Sequence, residues 1–183
     1  INPSDESVAA EVPDADQSVV DRAVQAAKRA YADWRITPIG ERQALLHKLS
    51  TVLQENANEL AELLVKEQGR PLPLALFEVG LAQRYLDFYA GQSLDVEVLA
   101  DDASTRVELH RKPLGVVGAI SPWNAPLYLS LSKVAPALRA GTSVVLNPPQ
   151  QLTNPSGRQV MLVHSGACAT YPGPLGMVFQ MPT

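Results

Sequence analysis

From residue 16 to about residue 91 the apolar positions recur at steps of three and four, which predicts a run of amphipathic helices. Val20, Ala23, Val24, Ala27, Ala30, Tyr31 and Trp34 form the first stripe, and Ser18 with Asp21 reads as a capping box at its start. Thr37 followed by Pro38 predicts an N-cap and a first-turn proline, with Leu45, Leu46, Leu49, Val52 and Leu53 as the next stripe. Asn56, with Glu59 three residues later, restarts a helix through Leu60, Leu63 and Leu64 that stops at Gly69 before Pro71. A fourth helix runs through Val79, Ala82, Leu86 and Tyr89 to Gly91. Carboxylates on these helices, Glu67 and Glu78 among them, read as solvated charge.

Residues 92–104 are polar and acidic and predict no regular element. Thr105, Val107 and Leu109 then alternate with Arg106, Glu108 and His110, the mark of a half-exposed strand. Beyond Leu114 the pattern changes. Residues 116–120 and 143–146 are short apolar runs without alternation, as in strands covered on both faces, and a helical run of residues 127–140 lies between them, ending at Gly141. A further helix is expected over residues 155–169 and a last strand over 177–181. The fold class predicted is therefore α/β: N-terminal helices, then one β-α-β-α-β half of a doubly wound parallel sheet with right-handed crossovers. The corresponding divisions are residues 1–104, a helical part; 105–114, a separate strand; and 115–183, the half-sheet. Half a sheet presents an unpaired apolar edge, so more chain or a partner is expected beside it.

Charge and composition narrow the function. A net charge of −4, with no segment where Lys and Arg cluster, argues against a nucleic-acid binder. The apolar runs are too short to span a bilayer and no basic stretch precedes an apolar one at the start, so no membrane association is expected and a cytoplasmic protein is. The single cysteine, Cys168, allows no internal disulfide and fits a reducing compartment. The chain opens on Ile1 and stops shortly after an expected strand, which reads as cut at both ends.

The chemistry centres on Pro122-Trp123-Asn124-Ala125-Pro126, where the first apolar strand gives way to a helix. In open α/β sheets ligands sit beyond the carboxyl ends of the strands, which places Ile120, Ser121, Pro122, Trp123 and Asn124 at such an end, and Asn147, Pro148 and Gln150 at the next one. Asn124 has two readings: a helix N-cap with Pro126 in the first turn, or an amide donor for a developing oxyanion. No G-x-G-x-x-G follows the strand, so a nucleotide would be held without the usual glycine turn. Lys133, inside an otherwise apolar helix, either reaches solvent or makes a specific polar contact. Cys168 lies four residues after His164 but reads as buried filler. His47 and His110 share no ligand spacing, and no metal site is expected.

The run "KPLGVVGAISPWNAPLYLSLSKVAPALRAGTSVVLNPPQQ" resembles the N-terminal part of the coenzyme domain in the NAD(P)-dependent aldehyde dehydrogenase family. The opening residues 1–34 and "KEQGRPL" resemble that family as well. The resemblance implies an oxidoreductase that converts an aldehyde to a carboxylic acid through a cysteine thiohemiacetal. Asn124 would hold the oxyanion, Lys133 would lie near the active-site entrance, and Ile120 to Trp123 with Asn147, Pro148 and Gln150 would face the cofactor. It also implies that residues 105–110 serve oligomerisation, so that the partner is another copy or the second half of the subunit. The family's nucleophile, general base and cofactor turn fall in regions beyond Thr183, so this chain by itself is expected to be inactive. Asn147 and Gln150 stand where the family usually has a lysine and a glutamate, which favours NAD over NADP and puts cofactor binding in question. The alternative is a catalytically inactive, truncated relative that acts as a binding or assembly module.

Overall fold

The computed structural model describes residues 1–9, 15–147 and 161–163 of the chain. Four helices come first: α1 (Gln17–Trp34), α2 (Ile39–Glu55), α3 (Ala57–Gln68) and α4 (Leu72–Ala90). Their starts differ from the expected caps. Asp16, not Ser18, caps α1 by accepting from the Val19 amide at 3.0 Å, and Ser18 donates its hydroxyl to the same carboxylate. An aspartate satisfies an orphan N–H as well as a serine does and adds negative charge at the positive end of the helix. Thr37 donates back to the Asp33 carbonyl at 3.1 Å instead of capping α2, and Asn56 likewise donates to the Val52 carbonyl at 2.7 Å, so both side chains close the preceding helix. Gly69 ends α3 in the left-handed conformation at φ 66°, as Gly69 followed by Pro71 predicts.

The acidic stretch after α4 contains a strand that the sequence pattern does not reveal. β1 (Glu97–Asp101) pairs antiparallel with β2 (Arg106–Leu109), and every residue of both strands is exposed. Neither strand is half-buried as the alternation suggested. Arg106 joins the two by pairing with Asp101 and Glu108, and Arg111 reaches Glu97.

A second sheet follows, with β3 (Val116–Ile120), α5 (Pro126–Arg139) and β4 (Ser143–Asn147) forming a parallel β-α-β unit. The mixed α/β class with a parallel pair is as expected, but its third strand is not. β5 (Met161–Val163) lies inside the segment expected to be helical and pairs with β4 antiparallel, in the order β3-β4-β5. Gly157 and Gly166 lower the helix propensity on either side of an apolar triplet, and a three-residue apolar run satisfies its backbone on an available strand edge. The expected strand over residues 177–181 lies outside the described residues.

Alternation along β4 assigns the layers. Val144 and Leu146 enter the main core with Ala119, the α5 residues Leu127, Leu131, Val134 and Leu138, and apolar residues of α2, α3 and α4. Val145 faces the other way, onto Ala27, Ala23 and Val24 of α1. β4 is therefore covered on both faces, as predicted, whereas β3 buries only Ala119.

Two buried arginines lock the helices around the C-terminal end of α5. Arg42 of α2 donates to the Arg139 carbonyl at 3.1 Å and to the Thr37 carbonyl at 2.8 Å. Arg139 in turn donates to the carbonyls of Gln92 and Ile39 at 2.6 to 3.0 Å. A cation on the last carbonyls of a helix is also favoured by the negative end of its dipole. Gly141 makes this approach feasible: it sits at φ 81°, and a Cβ there would lie 2.9 Å from Arg42 Nη1 and 3.2 Å from Pro113 Cγ. Gly141→Ala should therefore destabilise the chain by roughly 1–3 kcal/mol in urea unfolding, through backbone strain and displacement of Arg42 together.

At the end of α3, both carboxylate oxygens of Glu67 are buried without a hydrogen-bond partner among the described residues. This corrects its reading as solvated charge. Burial raises its pKa from 4.5 to about 7, opposed only by the positive N-terminal amine. Between those two values the native state binds the extra proton, so this group favours folding below about pH 4.5, and that advantage is lost as pH rises through 7. Glu67→Gln should raise stability at pH 8 by on the order of 1–3 kcal/mol and change it much less at pH 5, measured by urea unfolding at both values.

Candidate functional site

β3 and β4 run level, with Ile120 opposite Asn147, so their carboxyl ends open at the same height. The Ser121 amide continues the ladder by donating to the Asn147 carbonyl at 3.2 Å. Here two buried polar atoms are left over: among the described residues Ser121 Oγ and Asn147 Oδ1 have no hydrogen-bond partner. Buried polar groups are nearly always paired, and an orphan pair at the carboxyl ends of parallel strands lies where open α/β sheets receive ligands. Ile120, Pro122, Trp123 and Asn124 form the exposed rim of this opening, Ile120 at 69% and Trp123 at 53% exposure. The structure thus brings together Ile120, Ser121, Pro122, Trp123, Asn124 and Asn147. Pro148 and Gln150 lie outside the described residues.

The turn from β3 into α5 bears on the N-cap reading of Asn124. The residue flanking the helix is Ala125, and no side chain of the turn itself caps α5. The amides of Leu127 and Tyr128 are satisfied from elsewhere, donating to Glu78 Oε1 of α4 at 3.0 and 3.2 Å. Pro126 has no N–H to satisfy, and the Leu129 amide reaches the Ala125 carbonyl at 2.9 Å. Every early donor of α5 is accounted for without Asn124. Its amide side chain is exposed and has no hydrogen-bond partner among the described residues, while its backbone carbonyl accepts from Arg70. The N-cap reading is thereby overturned, and a donor N–H₂ is left available on a backbone that is held.

Lys133 takes the polar contact among its two readings, donating Nζ to the Leu129 carbonyl at 2.9 Å one turn back along α5. It makes no hydrogen bond or ion pair with Asn124 or Asn147. His47 lies 3.4 Å from Asp87 and His110 2.9 Å from Glu108, both at exposed positions. Among the described residues no cluster of His, Cys, Asp and Glu could hold a metal ion, and no helix is long and apolar enough to cross a membrane. Cys168 and His164 lie outside the described residues.

Sequence reasoning missed Glu78, Arg70 and Gln68. Glu78 pairs with Arg70, whose guanidinium also reaches the Asn124 carbonyl, and Gln68 donates to the Trp123 carbonyl. Burial pushes the Glu78 carboxyl up, while the Tyr128 amide, the Arg70 charge and the Leu127 amide pull it back down. One signal was available. Glu78 falls on the apolar stripe of α4, beside Ala75, Val79, Ala82 and Leu86, all of them buried, so its position was that of a core residue.

The geometry has close counterparts. Residues 1–167 match the model of the aldehyde dehydrogenase family. A 3,6-anhydro-alpha-L-galactose dehydrogenase of Vibrio sp. is 38% identical over 151 residues, which make up 81% of this chain and 32% of that protein. A vanillin dehydrogenase of Corynebacterium glutamicum is 40% identical over 151 residues, 81% of this chain and 31% of the relative. Among solved structures, an NAD-dependent benzaldehyde dehydrogenase from Corynebacterium glutamicum superposes with a TM-score of 0.74 at 39% identity, over 80% of this chain and 32% of that one. An NADP-dependent enzyme of E. coli superposes with a TM-score of 0.79 at 32% identity, over 82% of this chain and 32% of that one. The chain spans about a third of the length of the relatives it matches. On this match over most of its residues, the chain belongs to the aldehyde dehydrogenase family.

Proposed function

We propose that this chain forms the coenzyme-facing part of an NAD(P)-dependent aldehyde dehydrogenase that oxidises an aldehyde to a carboxylic acid. The observation that carries the reading is the Asn124 side chain: an unpaired amide on a held backbone at the mouth of a parallel β-α-β unit. A donor held in place before reaction stabilises a developing oxyanion without reorganisation, and such a donor is worth on the order of 100 to 1,000 in turnover. The reaction would proceed through attack of a cysteine on the aldehyde, and none of the described residues is assigned that role.

The orphan Ser121 hydroxyl and Asn147 amide oxygen fit a dinucleotide, whose ribose and amide groups offer matching donors and acceptors. The nicotinamide, when bound, supplies the hydride acceptor. Asn147 is neutral and cannot form an ion pair with a 2′-phosphate, which favours NAD over NADP. Lys133, committed to its own helix, has no assigned role in this reading. The exposed β1–β2 pair is the proposed site of association with a second copy.

The test is aldehyde-dependent reduction of NAD by the complete enzyme over a panel of aldehydes. Asn124→Ala should lower turnover by about 100- to 1,000-fold with NAD affinity unchanged. Turnover within threefold of the parent would sink the oxyanion role. Asn147→Lys should strengthen NADP binding about tenfold relative to NAD in titration calorimetry, as expected for one new charged contact to a phosphate. A protein that neither binds NAD in calorimetry nor oxidises any aldehyde would instead favour a binding or assembly module.

A further inference from the structure

The backbone on both sides of Asn124 is held by three side chains from a different part of the chain. Gln68, the last residue of α3, donates to the Trp123 carbonyl. Arg70, in the linker to α4, donates to the Asn124 carbonyl through Nη2 and pairs with Glu78 Oε2 through Nη1. Glu78 Oε1 takes the Leu127 and Tyr128 amides at 3.0 and 3.2 Å. The Glu78 side chain is 3% exposed, so this carboxylate has no access to water in place of those partners. All three of its contacts are to the amides of residues 127 and 128 or to the arginine that holds the Asn124 carbonyl.

We infer that Glu78 and Arg70 act together as positioning residues for Asn124. Glu78 fixes where α5 begins, and Arg70 ties the carbonyl of Asn124 to the same carboxylate. The proposal rests on the reading of Asn124 as an oxyanion donor and extends it to residues that touch neither substrate nor cofactor. A donor is useful to an oxyanion only if its position is set within a fraction of an ångström. Among the described residues Asn124 has no side-chain hydrogen bond of its own to set it, so the constraint acts through its backbone. An ordinary helix cap would need only the Glu78 contacts; the Arg70 contact to the Asn124 carbonyl contributes nothing to capping.

That difference supplies the test. In the 183-residue chain, amide exchange and ¹⁵N relaxation are measured by NMR for the parent, Glu78→Ala, Glu78→Gln and Arg70→Met. Glu78→Ala should speed exchange of the Leu127 and Tyr128 amides by tenfold or more relative to those of Leu131 and Leu138. Glu78→Gln keeps an acceptor at Oε1 and should restore most of that protection. Arg70→Met should leave the two amides protected but drop the Asn124 backbone order parameter from about 0.85 toward 0.6. An Asn124 as rigid in Arg70→Met as in the parent would reduce Glu78 to a helix cap and overturn the proposal. Should Glu78→Ala fail to fold, the Glu78→Gln and Arg70→Met pair decides the matter alone. Neither measurement involves aldehyde or cofactor, so they fail independently of the oxyanion reading, which stands or falls on the Asn124→Ala kinetics.

Discussion

A carboxylate buried at the start of α5 is the constraint on which the rest of the arrangement depends. Glu78 gives up water to accept two backbone amides and one guanidinium, a trade that is favourable only when every lone pair finds a partner. Because it sits on α4, it couples the helical layer to the first residues of the β-α-β crossover. Any shift of α4 would therefore be felt at the turn that carries Asn124.

The opposite end of α5 is held in the complementary way. Arg42 places a buried positive group on the Arg139 carbonyl, and Arg139 anchors itself on the carbonyls of Gln92 and Ile39. The helix thus has a negative group at its N-terminus and a positive one at its C-terminus, both supplied by other helices and both matched to its dipole. Its length and position are fixed from outside. Between the two clamps its apolar face packs on β3, β4 and the helical layer, which brings the Ser121 and Asn147 side chains level at the mouth of the sheet.

The polar atoms of the molecule divide accordingly. Groups that set the scaffold, such as Glu78, Arg42 and Arg139, have their hydrogen bonds made. Ser121 Oγ and Asn147 Oδ1, at the carboxyl ends of the strands, have no partner among the described residues, nor has the exposed Asn124 amide. Satisfied polar groups specify a structure and unsatisfied ones at a surface opening leave capacity for a ligand.

Local pattern determined much of this. The four helices, Gly69 as a left-handed stop, the crossover helix between two short strands and the position of Asn124 at a strand end all follow from periodicity, proline and glycine, which act within a few residues of themselves. Three things were decided only by tertiary structure. β1 and β5 are strands because a neighbouring edge accepts them, through backbone bonds that no side-chain pattern records. Asn124 does not cap α5 because a glutamate 46 positions earlier, Glu78, takes the Leu127 and Tyr128 amides. Glu78 itself reads as a solvated charge until the fold places Arg70 and the start of α5 against it, since burial and pairing are properties of what a residue meets in space and not of its neighbours along the chain.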